Sequence, residues 1–272
     1  MPIPAPRRAA LLAALSLASA ALFAPALAQA QDKKTVKVGI VVGSQEEIFK
    51  VVKQVAARDG LTLDITVFND YQLPNAAVAA GDLDANAFQH QPFLDNQNKA
   101  RGFDVVSAGL TFTAPMGYYS RKLKSIADLP DGATVGVQND PSNGNRALLL
   151  QDAKLVTLKP EAVKNNTATP LDVVANPKKL KLVPLDAAQL PRSLDDLTIA
   201  AINNDFAEKA GLSLARDAVI KESPKGPYAN IIAVRRADKD KPWVAQLVKA
   251  YQSPEVRNFI ETKFKGALVP AF

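Results

Sequence analysis

The sequence predicts an α/β protein of two lobes, the first lobe being assembled from both ends of the chain. Three observations carry this. Between Val36 and Val67 a strand, an amphipathic helix and a second strand follow one another, the order that builds a parallel sheet with a right-handed crossover. Residues 111–120 are extended and free of charge, with Pro115 and Gly117 inside, which reads as a crossing into a second lobe. Gly226-Pro227-Tyr228-Ala229-Asn230 precedes an apolar strand and reads as the return crossing.

The chain begins with a targeting pattern. Arg7 and Arg8 give a positive start, residues 11–27 are apolar, and Ala28-Gln29-Ala30 has the small-x-small form of a signal peptidase site. Residues 1–30 are therefore expected to be a signal peptide, with cleavage after Ala28 as the competing position. The remainder divides into lobe 1, residues 31–118 and 225–272, and lobe 2, residues 119–224.

Val36 to Val42 reads as a buried first strand. Ser44 and Glu47 have capping-box spacing, and Ile48, Val51, Val52 and Val55 fall on one helical face. Leu61, Leu63, Ile65 and Val67 alternate as a strand. A short helix from Ala76 to Ala80 ends at Gly81. The run Asp84 to His90 is a strand that stops at Gln91-Pro92, where proline suits the first turn of a helix; Gly102 suits that helix's end. Residues 104–108 are a further strand. In the second lobe, Ala133 to Val137 is a strand, Asn139 to Asn145 a polar turn, and Arg146 to Ala153 a helix. Residues 169–174 are a short helix opened by Pro170. A helix from Ala187 to Leu194 is interrupted by Pro191, and Leu197 to Ile202 is a buried strand. After the return strand, Ile231 to Val234, two helices close the chain. Trp243, Leu247 and Tyr251 mark one, and Val256, Phe259, Ile260 and Phe264 the other.

Composition excludes several chemistries. There is no cysteine, so disulfides, thiolate nucleophiles and zinc–thiolate sites are out, as is a lipid anchor on an N-terminal cysteine. His90 is the only histidine, which removes metal sites of several imidazoles. The formal charge is +6, but lysines are scattered among acids, and no basic block interleaved with aromatics points to nucleic acid. His90 would have to be the base of any serine nucleophile, and no Gly-x-Ser-x-Gly elbow is present. Phosphate-loop and dinucleotide fingerprints are missing too. The expectation is a protein without enzymatic activity, cofactor or metal.

Phe88, Gln89 and His90 lie on a strand-to-helix turn, the position where open α/β sheets bind ligands; a packed phenylalanine beside a hydrogen-bonded histidine is the plainer alternative. Arg146, placed near a helix start, suggests a bound anion, because the helix dipole disfavours a cation there. A surface pairing with Asp140 or Asp152 is equally compatible. Asn203 and Asn230 sit at the edges of apolar strands, and with Arg146 they suit an amino-acid zwitterion: arginine for the carboxylate, amide oxygens for the ammonium. Tyr71, Phe88 and Tyr118, at strand ends or crossings, would wall an apolar side chain or simply pack in the core.

Phe88-Gln89-His90-Gln91-Pro92-Phe93-Leu94, Gln138-Asn139-Asp140-Pro141-Ser142-Asn143 with Arg146-Ala147-Leu148, Leu190-Pro191-Arg192, Ala201-Ile202-Asn203 and Pro227-Tyr228-Ala229-Asn230 occur in that order. With these motifs the chain closely resembles the NlpA/MetQ family, the substrate-binding proteins of the methionine ABC importer, from about Val36 to Phe272. The resemblance implies a bilobal type II periplasmic-binding-protein fold, with two parallel-dominated sheets and a two-crossing hinge, closing on L-methionine. It implies that Arg146 binds the carboxylate, that Asn203 and Asn230 bind the amino-acid head, and that Tyr71, Phe88, His90 and Tyr118 enclose the thioether. The implied partners are this small-molecule ligand and the membrane permease of an ABC importer.

Two departures stand out. Many members carry a lipobox cysteine and this chain has none, so the expectation is a periplasmic protein with no lipid anchor. Asn204-Asp205-Phe206 stands where relatives often have an asparagine or tyrosine, and Asp205 bears on which amine or polar ligand fits. The competing readings are the same fold binding another amino acid or a methionyl dipeptide, and a non-transport interaction or adhesin-like protein.

Overall fold

In the computed structural model, which describes residues 33–165 and 167–272, β1 (Thr35–Val41) directs Val36, Val38 and Ile40 into an apolar core. The expected signal peptide, residues 1–30, lies outside the described residues. Helix α1 (Ser44–Arg58) packs Ile48, Phe49 and Val52 onto the same core. Its start differs from the Ser44/Glu47 expectation. Gly43 is the N-cap, at φ 100°, and its N–H is received by Glu46 Oε1 at 3.1 Å. β2 (Thr62–Phe68), α2 (Leu73–Ala80), β3 (Ala85–His90), α3 (Gln91–Arg101) and β4 (Val105–Thr113) follow.

The chain then crosses to a second sheet. β5 (Gly117–Tyr119), β6 (Thr134–Gln138), α4 (Pro141–Gly144), α5 (Leu148–Asp152), β7 (Thr157–Leu158), α6 (Pro160–Lys164), β8 (Val173–Ala175), β9 (Lys181–Leu185), β10 (Ile199–Ile202), α7 (Asn204–Lys209), α8 (Leu214–Asp217) and β11 (Ala218–Lys221) belong to this half. It returns through β12 (Ala229–Arg235), α9 (Pro242–Tyr251), α10 (Pro254–Phe264) and β13 (Val269–Pro270).

The first sheet has the order β13-β4-β12-β3-β1-β2, the second β11-β5-β10-β6-β9. β1 is parallel to β2 and β3, and β6 is parallel to β9 and β10. Antiparallel pairing enters where the chain changes lobes: β12 runs against β3 and β4, and β5 against β10 and β11. β12 and β5 are the first strands after the two crossings, and each runs opposite to both of its neighbours; β13 also runs against β4. Segments 114–116 and 222–228 are the two links between the sheets.

Two expected helices are different in kind. Residues 187–194 contain only turns followed by a 3-10 turn, Arg192–Asp195; Pro191 lacks the N–H a helix interior needs. Residues 169–174 form a 3-10 turn, Pro170–Asp172, that runs into β8.

Candidate functional site

β3 is buried at every residue although Asn86, Gln89 and His90 are polar. The burial is compensated by a closed set of amide bonds. Asn75 of α2 exchanges two hydrogen bonds with Gln89, at 2.7 and 2.6 Å, and accepts from Asn86 at 2.9 Å. Satisfied networks of this kind rigidify what they support. Here they fix the end of β3, which carries Phe88 and His90.

His90 caps α3. Its Nδ1 accepts from the Phe93 N–H at 3.2 Å, which leaves the proton on Nε2, 3.4 Å from Asn143 Oδ1 of the other lobe. Burial, helped by the nearby Arg146 charge, pushes the imidazole down to about 3, so it works as a neutral donor. A histidine whose folded value lies below its ordinary one takes up a proton on unfolding first. Its contribution is complete above about pH 6.5 and is lost as pH falls towards 3, at up to about 1.4 kcal/mol per pH unit. His90→Asn keeps a capping acceptor and cannot titrate. Urea titrations between pH 4 and 7 are expected to show wild type losing stability more steeply than this variant on acidification. Parallel slopes would refute a neutral buried His90.

Across the cleft, the expected polar turn, residues 139–145, contains the short helix α4, and the expected helix from Arg146 to Ala153 is a 3-10 turn at Asn145–Ala147 followed by α5. Arg146 therefore lies in a 3-10 turn and not at a helix start, and the dipole does not explain its place. Neither Asp140 nor Asp152 pairs with it. Glu222 does: Arg146 Nε donates to Oε1 at 3.0 Å and Nη2 to Oε2 at 2.9 Å. Glu222 Oε2 also accepts from the Met116 N–H at 2.8 Å, and Arg146 Nη2 reaches the Ala114 carbonyl at 3.4 Å. The guanidinium lies 4.2 Å from the Tyr228 ring centroid. Arg146 is thus clamped between both links of the two lobes. Its remaining nitrogen, Nη1, faces Asn143 Oδ1 at 3.2 Å. That oxygen also receives Asn203 Nδ2 at 2.9 Å.

A cavity lies between these groups. It brings together six of the expected residues: Tyr71, Phe88, His90, Arg146, Asn203 and Asn230. Asn203 is turned by Gln138, whose Nε2 donates to its Oδ1 at 2.8 Å. Asn230 donates to the Phe88 carbonyl at 3.2 Å, which leaves its amide oxygen for a ligand. Tyr71 contacts Phe88 and Phe93 at centroid distances of 5.8 and 6.0 Å, and Phe206 of the opposite lobe at 4.9 Å. One end of the cavity is therefore aromatic and the other amide and guanidinium.

Tyr118 is a correction. It does not line the cavity but is fully buried in the core beside the second sheet, with Met116 and Leu129. Its register opposite Ala201 and Ile220 sends it to that face. Ala114, on the same crossing, lines the cavity in its place. Sequence reasoning also missed Phe93 and gave no cavity role to Asn143, although both stand in the motifs quoted above; Glu222, on the far link, carried no signal.

The profile of the family described as NlpA lipoprotein matches residues 36–272. The chain belongs to the NlpA lipoprotein family. Among its NlpA relatives, the D-methionine-binding lipoprotein MetQ of Salmonella typhi is 45% identical over 243 residues, 88% of this chain and 89% of that protein. A nutrient-binding protein from Burkholderia cenocepacia, solved bound to methionine, is 55% identical with a TM-score of 0.85, over 87% of this chain and all (100%) of that one. An ABC transporter periplasmic substrate-binding protein from Coxiella burnetii is 48% identical with a TM-score of 0.83, over 87% of this chain and 100% of that one. The bilobal fold is that of these proteins. The expectation of no lipid anchor is overturned by the same comparison, since the NlpA family and its MetQ relative are lipoproteins. That expectation had rested on a missing residue type alone.

Proposed function

We propose that this protein is the substrate-binding component of an ABC importer, capturing methionine between its lobes and delivering it to a membrane permease. The observation that carries this is the two-ended cavity. Arg146, Asn203 and Asn230 take the amino-acid head, while Tyr71, Phe88 and Phe93 take the thioether, with His90 donating from the wall. Sulfur is drawn to aromatic rings by about 0.3–1.5 kcal/mol. The methionine bound by the Burkholderia relative and the name of the Salmonella relative support the same ligand. The lobes of this reading are residues 33–113 with 229–272, and 117–221, with 114–116 and 222–228 as the hinge.

Calorimetric titration with L- and D-methionine tests the reading directly; saturable binding of neither enantiomer would end it. Phe88→Ala separates the two ends of the cavity. It removes side-chain contact and leaves the head group held, so methionine affinity is expected to fall by about ten- to a hundredfold. Alanine, which does not reach the aromatic end, is expected to change by less than about threefold. Equal losses for both ligands would place Phe88 outside the thioether site.

A further inference from the structure

Two charged side chains line the cavity, Arg146 and Asp205, and they differ in how their charge is met. Arg146 is matched by Glu222 at 2.9 Å. Asp205, on the first turn of α7, has no cationic partner among the described residues. Its Oδ2 accepts from the Tyr71 hydroxyl of the opposite lobe at 3.1 Å. Its Oδ1 is buried with no hydrogen-bond partner at all, and the residue is only 6% exposed. A carboxylate in such a place needs a cation or several donors; otherwise it takes a proton. With burial as the leading cause, its carboxyl is pushed up to about 7. Of the two amide oxygens expected to serve the ligand's ammonium, Asn203 Oδ1 already accepts from Gln138, and that of Asn230 is neutral and cannot balance the ammonium's charge.

We infer that Asp205 is the counter-charge for the ammonium group of the ligand, and that it restricts this site to ligands with a free amine. This rests on the proposed reading of the cavity as an amino-acid site. The Arg146–Glu222 pair is neutral in sum, so the protein charge left uncompensated in the closed cleft is negative, and a zwitterion brings what it lacks. Tyr71 adds an aromatic ring beside the carboxylate, a surface that attracts cations.

The groups facing Asp205 are few. From the opposite lobe come the Tyr71 hydroxyl and the backbone of Gly43, which lies against the Asp205 backbone. The Arg146 charge draws the carboxyl down, Glu208 on the same helix draws it up, and His90 is neutral. An arriving ammonium favours the charged carboxylate and displaces the proton that burial promotes.

The test is calorimetry of wild type and Asp205→Asn with methionine and with its 2-hydroxy analogue, which carries a hydroxyl in place of the ammonium. Asparagine keeps the volume and an acceptor for Tyr71. Asp205→Asn is expected to weaken methionine by at least about thirtyfold, and to change the hydroxy acid by less than about threefold. Wild type is expected to release a fraction of a proton on binding methionine at pH 7, read from buffers of different ionisation enthalpy, and the variant none. Equal losses for both ligands would reduce Asp205 to a structural role and overturn the inference. Wild type that binds methionine, with Asp205→Asn within about threefold of it, would overturn this inference alone. Wild type that binds no amino acid would overturn the amino-acid reading and the inference with it.

Discussion

Arg146→Ala is expected to lose methionine affinity by about thirtyfold or more, and to lose folding stability in the same stroke. The guanidinium is 4% exposed and its partner Glu222 11%. Removing one member of a buried pair strands the other as an uncompensated charge, which costs about 3–5 kcal/mol. The stability loss comes from Glu222, whereas the affinity loss comes from the cavity lining that Arg146 supplies. At about 1.4 kcal/mol per tenfold, a truncated buried charge contact of about 2–5 kcal/mol gives the affinity figure. The two effects can be pulled apart. In Arg146→Met with Glu222→Gln, no charge is stranded, and the amide oxygen still accepts from the Met116 N–H. Denaturant titration is expected to show most of the stability restored, while calorimetry shows the affinity still lost. Arg146→Lys is expected to recover part of each, because an ammonium cannot make the two-pronged contact with Glu222. A folded Arg146→Ala that binds within about threefold of wild type would remove Arg146 from the site.

The reach of the sequence can be judged from these same residues. Phe88 and His90 were legible because a strand ending at Gln91-Pro92 puts them at a strand-to-helix turn, a purely local signal. Arg146 was found for the wrong reason. Its expected helix start is a 3-10 turn between two short helices, and what holds it is a glutamate 76 residues away. No periodicity reports a contact of that range. Tyr118 failed on strand direction: in an extended crossing, one residue of offset decides between cavity and core, and Tyr118 and Tyr119 go to different clusters. The parallel units of each sheet were visible in the β-α-β order, but the antiparallel strands follow from the path of the two links. The Asn75–Gln89–Asn86 network was hidden for a similar reason. Polar residue types carry no local signal of burial, yet these three side chains bury one another.

Gly43→Ala is expected to prevent full closure of the lobes and lower methionine affinity by about ten- to a hundredfold. Gly43 sits at φ 100°, and a Cβ there would lie 2.8 Å from the Asp205 carbonyl oxygen and 3.1 Å from its Cα, which belong to the opposite lobe. Two penalties must be kept separate. Backbone strain at such a φ costs about 1–3 kcal/mol, but it acts on open and closed forms alike and shows only as lost stability. The clash acts on the closed form alone. Overpacking against well-placed backbone costs about 1–3 kcal/mol, and apparent affinity falls in proportion to the population of the competent state. Gly81→Ala supplies the control. Gly81 is also left-handed, at φ 89°, but nothing lies within 4 Å of the added Cβ. It is expected to lower the melting temperature as Gly43→Ala does and to leave methionine binding unchanged. Small-angle scattering adds a direct reading: saturating methionine should contract wild type and Gly81→Ala to the same radius, with Gly43→Ala remaining larger. If Gly43→Ala binds and contracts as its control does, the contact between Gly43 and Asp205 is not part of closure.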